Sequence, residues 1–380
     1  MGGPVTERRE RPPHTRIGVR AGALLATVAI AVVAGSALDL VSVDRVVYQP
    51  GPVYDTLGEI GEERRIINLD DDLRTYPTEG HLWFTTIHLD GGPGDDLSAW
   101  EWLRAELDPA STVVPREDVF PEDVTAEQIR EQNTQLMQHS QQDAAVVALR
   151  ATGVEIPEDI VVAQVIVDAP ADGVLHVDDQ ILNIDGEDMA DARAVQDRLQ
   201  EVEPGETVPM SLLRDGEEMT IQVPTTRDED SGRTIVGVYL APRYDLPYDV
   251  SIDAGNVGGP SAGLMFALAV YDQITPGALT GGRSIAGTGT ISSSGVVGGI
   301  GGITQKMYAA ERAGASLFLA PSDNCGEVVD ATPRDLPVAA VGTFEEALEV
   351  VELVAAADDV SALELPTCDQ VLEDGASITG

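Results

Sequence analysis

Residues 21–38 contain no charged side chain, and the 20 residues before them are polar and carry Arg8, Arg9, Arg11, Arg16 and Arg20. No other feature restricts the fold so strongly. A run of this length just spans a bilayer core, where every backbone N–H and C=O must be satisfied within the segment. Arginines ahead of the run hold the N-terminus in the cytoplasm and send the remainder outside. The expected layout is a cytoplasmic basic tail at 1–20, a transmembrane helix anchoring the chain at 21–40, and an extracytoplasmic body. That describes a single-pass protein of the cell membrane. A signal peptide cut near Gly35-Ser36-Ala37 is the rival, but the run is longer than the usual signal core.

The body can hold two or three domains, since the chain has 380 residues and 43% hydrophobic content. Its net charge of −42 would repel nucleic acid and anionic lipid, so neither is expected as a partner. Cys325 and Cys368 are the only cysteines. In an oxidising compartment they would pair and tie the C-terminal tail to the last domain. No Cys-x-x-Cys or His-rich spacing suggests a metal site, and no cofactor is expected.

Along the chain, 48–55 reads as a turn-rich lead-in and 82–89 (LWFTTIHL) as a strand. A half-exposed helix is predicted over 125–150, opened by the capping box Thr125-x-x-Gln128. These fall in an N-terminal extracytoplasmic region at 41–153. Residues 154–227 then alternate strand, turn, strand, helix, strand and hairpin, which closes a small barrel. The runs PA-x-G-x-L…D-x-I-L-x-I-D-G and PG…V…LLRDG make it resemble a PDZ domain in the circular arrangement of bacterial proteases. The resemblance implies peptide binding by strand addition. It departs from the family at Asp178-Asp179, where Gly-Asp is usual, and in its carboxylate-binding loop, for which Ala151-Thr152-Gly153-Val154 is the nearest candidate. A polar linker at 228–232 precedes a last α/β domain at 233–356 and a C-terminal tail at 357–380. Strands are expected there at 234–240, 248–252, 283–291, 317–320 and 337–341. Helices are expected from Pro260 or Ser261 to 273, at 304–313 and at 343–354.

The chemistry is concentrated in that domain. In Gly258-Gly259-Pro260-Ser261-Ala262-Gly263-Leu264 a Gly-Pro turn meets a helix start. The backbone of Gly259, Pro260 and Ala262 would shape a turn whose N–H groups can face an oxyanion, and Ser261 would be poised to attack a carbonyl. A nucleophilic serine needs a base, and all five histidines lie before this domain, at 14, 81, 88, 139 and 176. Lys306 is the only lysine in the chain. Unlike arginine, a buried lysine can be neutral near pH 7. Ile303, Met307 and Ala310 would make its pocket dry, and Thr288 offers a hydroxyl to hold the amine.

The segment 249–314 resembles the proteolytic domain of Lon-type serine proteases, through GGPSAGL, TGTISSSGVVGGIGGITQK and AAERAGA. The resemblance assigns the nucleophile to Ser261, the base to Lys306 and the lysine-steadying threonine to Thr288. With anchor, PDZ-like module and protease domain in this order, the chain is similar to the Lon-like, PDZ-containing, membrane-anchored proteases of Gram-positive, actinobacterial type. The implied fold class is multidomain α/β and α+β. No Walker A loop is available, because Met307 follows the only lysine. The expectation is an ATP-independent serine endopeptidase acting on flexible or unfolded extracytoplasmic or membrane proteins. A homo-oligomer is implied by the resemblance alone. The alternatives are an inactive peptide-binding scaffold and a Ser-Lys amidase or acyl transferase.

Overall fold

Two sheets organise the body, and the larger draws its strands from both ends of it. The structure, a computed structural model, describes residues 41–378 apart from 61–63, 121–123, 230, 332 and 334. The expected tail and anchor at 1–40 lie outside the described residues. Among the described residues no helix is long and apolar enough to cross a membrane.

The first sheet has six strands in the order Val338–Val341, Leu317–Pro321, Ser284–Gly287, His81–Asp90, Arg45–Asp55, Thr112–Pro115. The first four are mutually parallel, and the last two run antiparallel to their neighbours. Alternate residues face opposite layers, as the two-residue period of a strand demands. Leu317, Leu319, Ile285, Leu82 and Phe84 meet the helices Gly263–Ile274 and Phe344–Ala356 on one face. Phe318, Ala320, Ala286 and Trp83 meet the helix Ile303–Ala313 on the other. Both faces are therefore covered, and Leu317–Pro321 is buried throughout. On the second face a disulfide joins Cys325 to Cys368, with Cα atoms 4.8 Å apart, and holds the C-terminal helix Cys368–Ile378 against Cys325–Ala331.

This sheet crosses the expected boundary at residue 153. Strands from 45–115 lie beside strands from 284–341, and the helix Ala126–Ala151 packs on Gly263–Ile274. The N-terminal region and the last domain therefore share one core. The strand Arg45–Asp55 occupies what reads as a turn-rich lead-in. Its Pro50, Gly51 and Pro52 are accommodated by a shift of register between Pro50 and Val53, where the ladder to His81–Asp90 is interrupted.

The second sheet runs Glu217–Pro224, Thr207–Arg214, Gln180–Ile184, Glu158–Val165, Val238–Tyr244, and closes over the helix Ala192–Gln200. Its last strand corrects the sequence reading of 234–240 as the first strand of the α/β domain. That run is interrupted at Gly237 (φ 83°), and Val238–Tyr244 pairs with Glu158–Val165, not with the larger sheet. Asp178 takes the left-handed conformation (φ 71°) that suits glycine, which Asp tolerates better than most residues. Asp179 is buried, which pushes its pKa up, but two bonds from Arg214 (2.7 and 2.6 Å) and one from the His176 N–H hold it below the usual value.

Candidate active site

Ser261 sits in a turn between Val257 and the helix Gly263–Ile274, which starts later than the sequence suggests. Gly259 takes a left-handed φ of 86°, Pro260 follows, and Ala262 is the cap residue. A serine at such a place commonly caps its own helix, but Ser261 Oγ is turned elsewhere. It lies 2.8 Å from Lys306 Nζ. Lys306 belongs to the helix Ile303–Ala313, on the opposite face of the sheet, and its amine is also 2.9 Å from Thr288 Oγ1. Thr288 stands where the expected strand 283–291 breaks, because Gly289 (φ 152°) turns the chain after Ser284–Gly287. The structure thus brings together Ser261, Thr288 and Lys306.

Lys306 is 2% exposed, beside the fully buried Ile303, Met307 and Ala310. Burial lowers its pKa from 10.5 to about 7. The hydrogen bonds fix the direction of the Thr288 hydroxyl. Thr288 Oγ1 donates to the Ser261 carbonyl at 2.9 Å, so it accepts from the lysine. A neutral amine then has its lone pair for the Ser261 hydroxyl, at a distance that allows direct proton transfer.

The turn itself is held from two sides. Gly259 N–H donates to Asn133 O (3.0 Å) and Ser140 Oγ donates to Pro260 O (2.9 Å), both from the helix Ala126–Ala151. Gly289 N–H donates to Ser261 O at 2.8 Å. Gly259 is therefore a turn residue with its N–H already used, and Pro260 has none. Among the described residues, the N–H groups of Ser261 and Ala262 donate to no protein acceptor and lie at the positive end of a helix. Asn133 and Ser140 carry no recognisable motif, and their role is visible only in contacts more than 100 residues apart in the chain. Among the described residues no group of three or more His, Cys, Asp or Glu could hold a metal ion.

A second concave site lies on the smaller sheet. The edge strand Val238–Tyr244 and the helix Ala192–Gln200 border a cavity of about 410 Å³, lined among others by Val195, Leu199, Ile235, Val238 and Leu240. The left-handed Gly237 stands at the head of this strand, and a Cβ there would clash with Ala169 Cβ. The nearest sequence candidate for a carboxylate-binding loop, 151–154, ends the helix Ala126–Ala151. Its Gly153 and Val154 N–H groups donate to Arg150 O and Leu149 O.

Comparison with known proteins finds two domain types, with bounds that do not follow the two sheets: one match starts inside the helix Ala126–Ala151 and stops before the strand Val238–Tyr244. Residues 248–355 match the Lon protease (S16) C-terminal proteolytic domain, and 128–225 match the PDZ domain. Lon protease 1 of Bacillus subtilis is 36% identical over 88 residues, 23% of this chain and 11% of that protein. Lon protease of Campylobacter concisus is 30% identical over 145 residues, 37% of this chain and 18% of that protein. The chain thus spans less than a fifth of the length of these relatives. The PDZ domain of an SdrC-like protein from Listeria monocytogenes aligns at 26% identity, covering 22% of this chain and 86% of that structure with a TM-score of 0.21. The chain is therefore Lon-like and PDZ-containing, with a Lon-type proteolytic domain and a PDZ domain in one polypeptide.

Proposed function

We propose that the chain is an ATP-independent serine endopeptidase using a Ser261–Lys306 dyad. The observation that carries this reading is the 2.8 Å contact between the Ser261 hydroxyl and the only lysine of the chain, buried and with its pKa lowered to about 7. Neutral Lys306 takes the Ser261 proton as Oγ attacks the peptide carbonyl. The oxyanion is held by the N–H groups of Ser261 and Ala262, and Lys306 returns the proton to the leaving amine. Water resolves the acyl-enzyme by the same proton route in reverse. Thr288 keeps the amine directed at Ser261. The PDZ groove takes an extended segment of the substrate as an added strand along Val238–Tyr244.

This sequence has no Gly-Lys-Ser/Thr, so substrates would be segments that need no unfolding motor. If residues 21–40 anchor the chain as the sequence leads us to expect, these would be extracytoplasmic or membrane proteins. The test is casein cleavage by the full chain in detergent without ATP, beside Ser261→Ala and Lys306→Arg. Cleavage by the parent and by neither variant is expected, since arginine keeps the charge but cannot give up its proton. An inactive parent, or equal cleavage by all three, overturns the proposal.

A further inference from the structure

Ser140 lies on the polar middle of the helix Ala126–Ala151, yet it is only 3% exposed. Its hydroxyl is directed at the nucleophile turn and donates to Pro260 O at 2.9 Å across 120 positions of sequence. The peptide bond from Pro260 to Ser261 is trans, like every other among the described residues. In a planar trans peptide the C=O and N–H point in opposite directions. Whatever fixes the Pro260 carbonyl therefore fixes the Ser261 N–H, which has no protein acceptor among the described residues. Gly263 N–H also reaches Pro260 O, but at 3.3 Å. The next peptide plane is held in the same way, because Ser261 O accepts from Gly289 N–H and Thr288 Oγ1 and so fixes the Ala262 N–H.

We infer that Ser140 is a positioning residue for the oxyanion-binding N–H of Ser261. It acts through the Pro260 carbonyl, from a helix outside the 248–355 stretch that matches the Lon-type domain. The inference rests on the proposed protease reading. The space is tight, since a Cβ on Gly263 would lie 2.6 Å from Ser140 Oγ. A merely space-filling role for Ser140 is thus the competing account. It is separated by replacing the hydroxyl with a group of similar size that donates weakly.

The test compares the parent with Ser140→Ala and Ser140→Cys in the full chain, with Ser261→Ala as the inactive reference. A missing oxyanion donor costs about a hundredfold or more in kcat, and a misdirected one should cost at least about tenfold. Both Ser140 variants are expected to lose at least that much kcat, with KM and the pH midpoint of the rate unchanged because Ser140 touches neither amine nor substrate. The affinity of a peptide boronate, whose tetrahedral adduct places an oxygen in the same position, should fall in parallel. Recovery of kcat in Ser140→Cys would show that volume is what matters and overturn the inference. So would a kcat within twofold of the parent in Ser140→Ala, or a shifted pH midpoint. If the parent itself does not cleave, it is the protease reading that fails.

Discussion

A lysine amine buried to 2% exposure carries a cost that its chemistry requires. Burial lowers the Lys306 pKa from 10.5 to about 7, so below pH 7 the folded protein must keep a charge out of water. On the proposed mechanism kcat/KM rises with pH through a midpoint near 7, as the amine loses its proton, and a profile flat from pH 5.5 to 8.5 would contradict it. The stability effect follows from the same shift. Between about pH 7 and 10.5 the unfolded chain binds the proton and the folded chain does not, so this group's contribution to stability improves as pH rises. Lys306→Met should abolish cleavage yet raise the melting temperature, and by more at pH 6 than at pH 9.5. An equal or negative change at both pH values would mean that the amine is not held at a cost. The cluster of Ser261, Thr288 and Lys306 was legible in sequence because the chain has a single lysine and the neighbours of all three are characteristic. Ser140 and Asn133 were not, because a serine and an asparagine in a Gln-rich helix are unremarkable until the turn they hold is folded against them.

At the scale of elements, local chemistry was a sound guide wherever it was sufficient on its own. Thr125 and Gln128 cap the helix Ala126–Ala151 reciprocally, as their spacing indicates, and Thr343 caps Phe344–Ala356. It failed where pairing overrides propensity. Two prolines and a glycine disguise Arg45–Asp55 as a turn, although a strand on each side supplies the ladder that its own residues interrupt. The β-branched and apolar residues of 234–240 read as one strand of the last domain, although Gly237 divides the run and its second part pairs with Glu158–Val165. Glycine at the head of the helix that follows Ser261 is a comparable conflict. Alanine is favoured over glycine in helices by about 1 kcal/mol. At Gly263, however, a Cβ would lie 2.6 Å from Ser140 Oγ and 2.8 Å from Ile291 Cγ2. Overpacking of that kind costs about 1–3 kcal/mol. Gly263→Ala is expected to lower the melting temperature and to reduce activity beyond the loss of stability, because the displaced atoms include the hydroxyl that holds Pro260. A melting temperature equal to or above that of the parent would show that the site relaxes freely.

At the scale of the whole molecule, the smaller sheet is an insertion into the larger fold. The chain enters it at Glu158 and leaves at Tyr244, and these two residues are cross-strand partners. Paired residues in antiparallel strands stand about 5 Å apart, so a short turn can replace everything between them. Excising 159–243 is expected to leave a cooperative unfolding transition and the Ser261–Lys306 contact, with cleavage of small peptides retained and capture of long ones reduced. A fragment of 233–356 should behave oppositely and fail to fold, because it lacks three of the six strands of its sheet, those at 45–55, 81–90 and 112–115. A well-folded 233–356 would refute the shared core. No reading of local patterns could find this arrangement, since the strands that complete the sheet are separated from their partners by the whole inserted barrel. It also sets a schedule for the newborn chain. Thr85 must wait about 200 residues of synthesis for Gly287, the carbonyl that its hydroxyl bonds, and the inserted barrel can finish folding before the sheet around it has its centre. Ser261 meets Lys306 only after both, so on the proposed mechanism the serine of a nascent chain has no base until Lys306 has been made and folded against it.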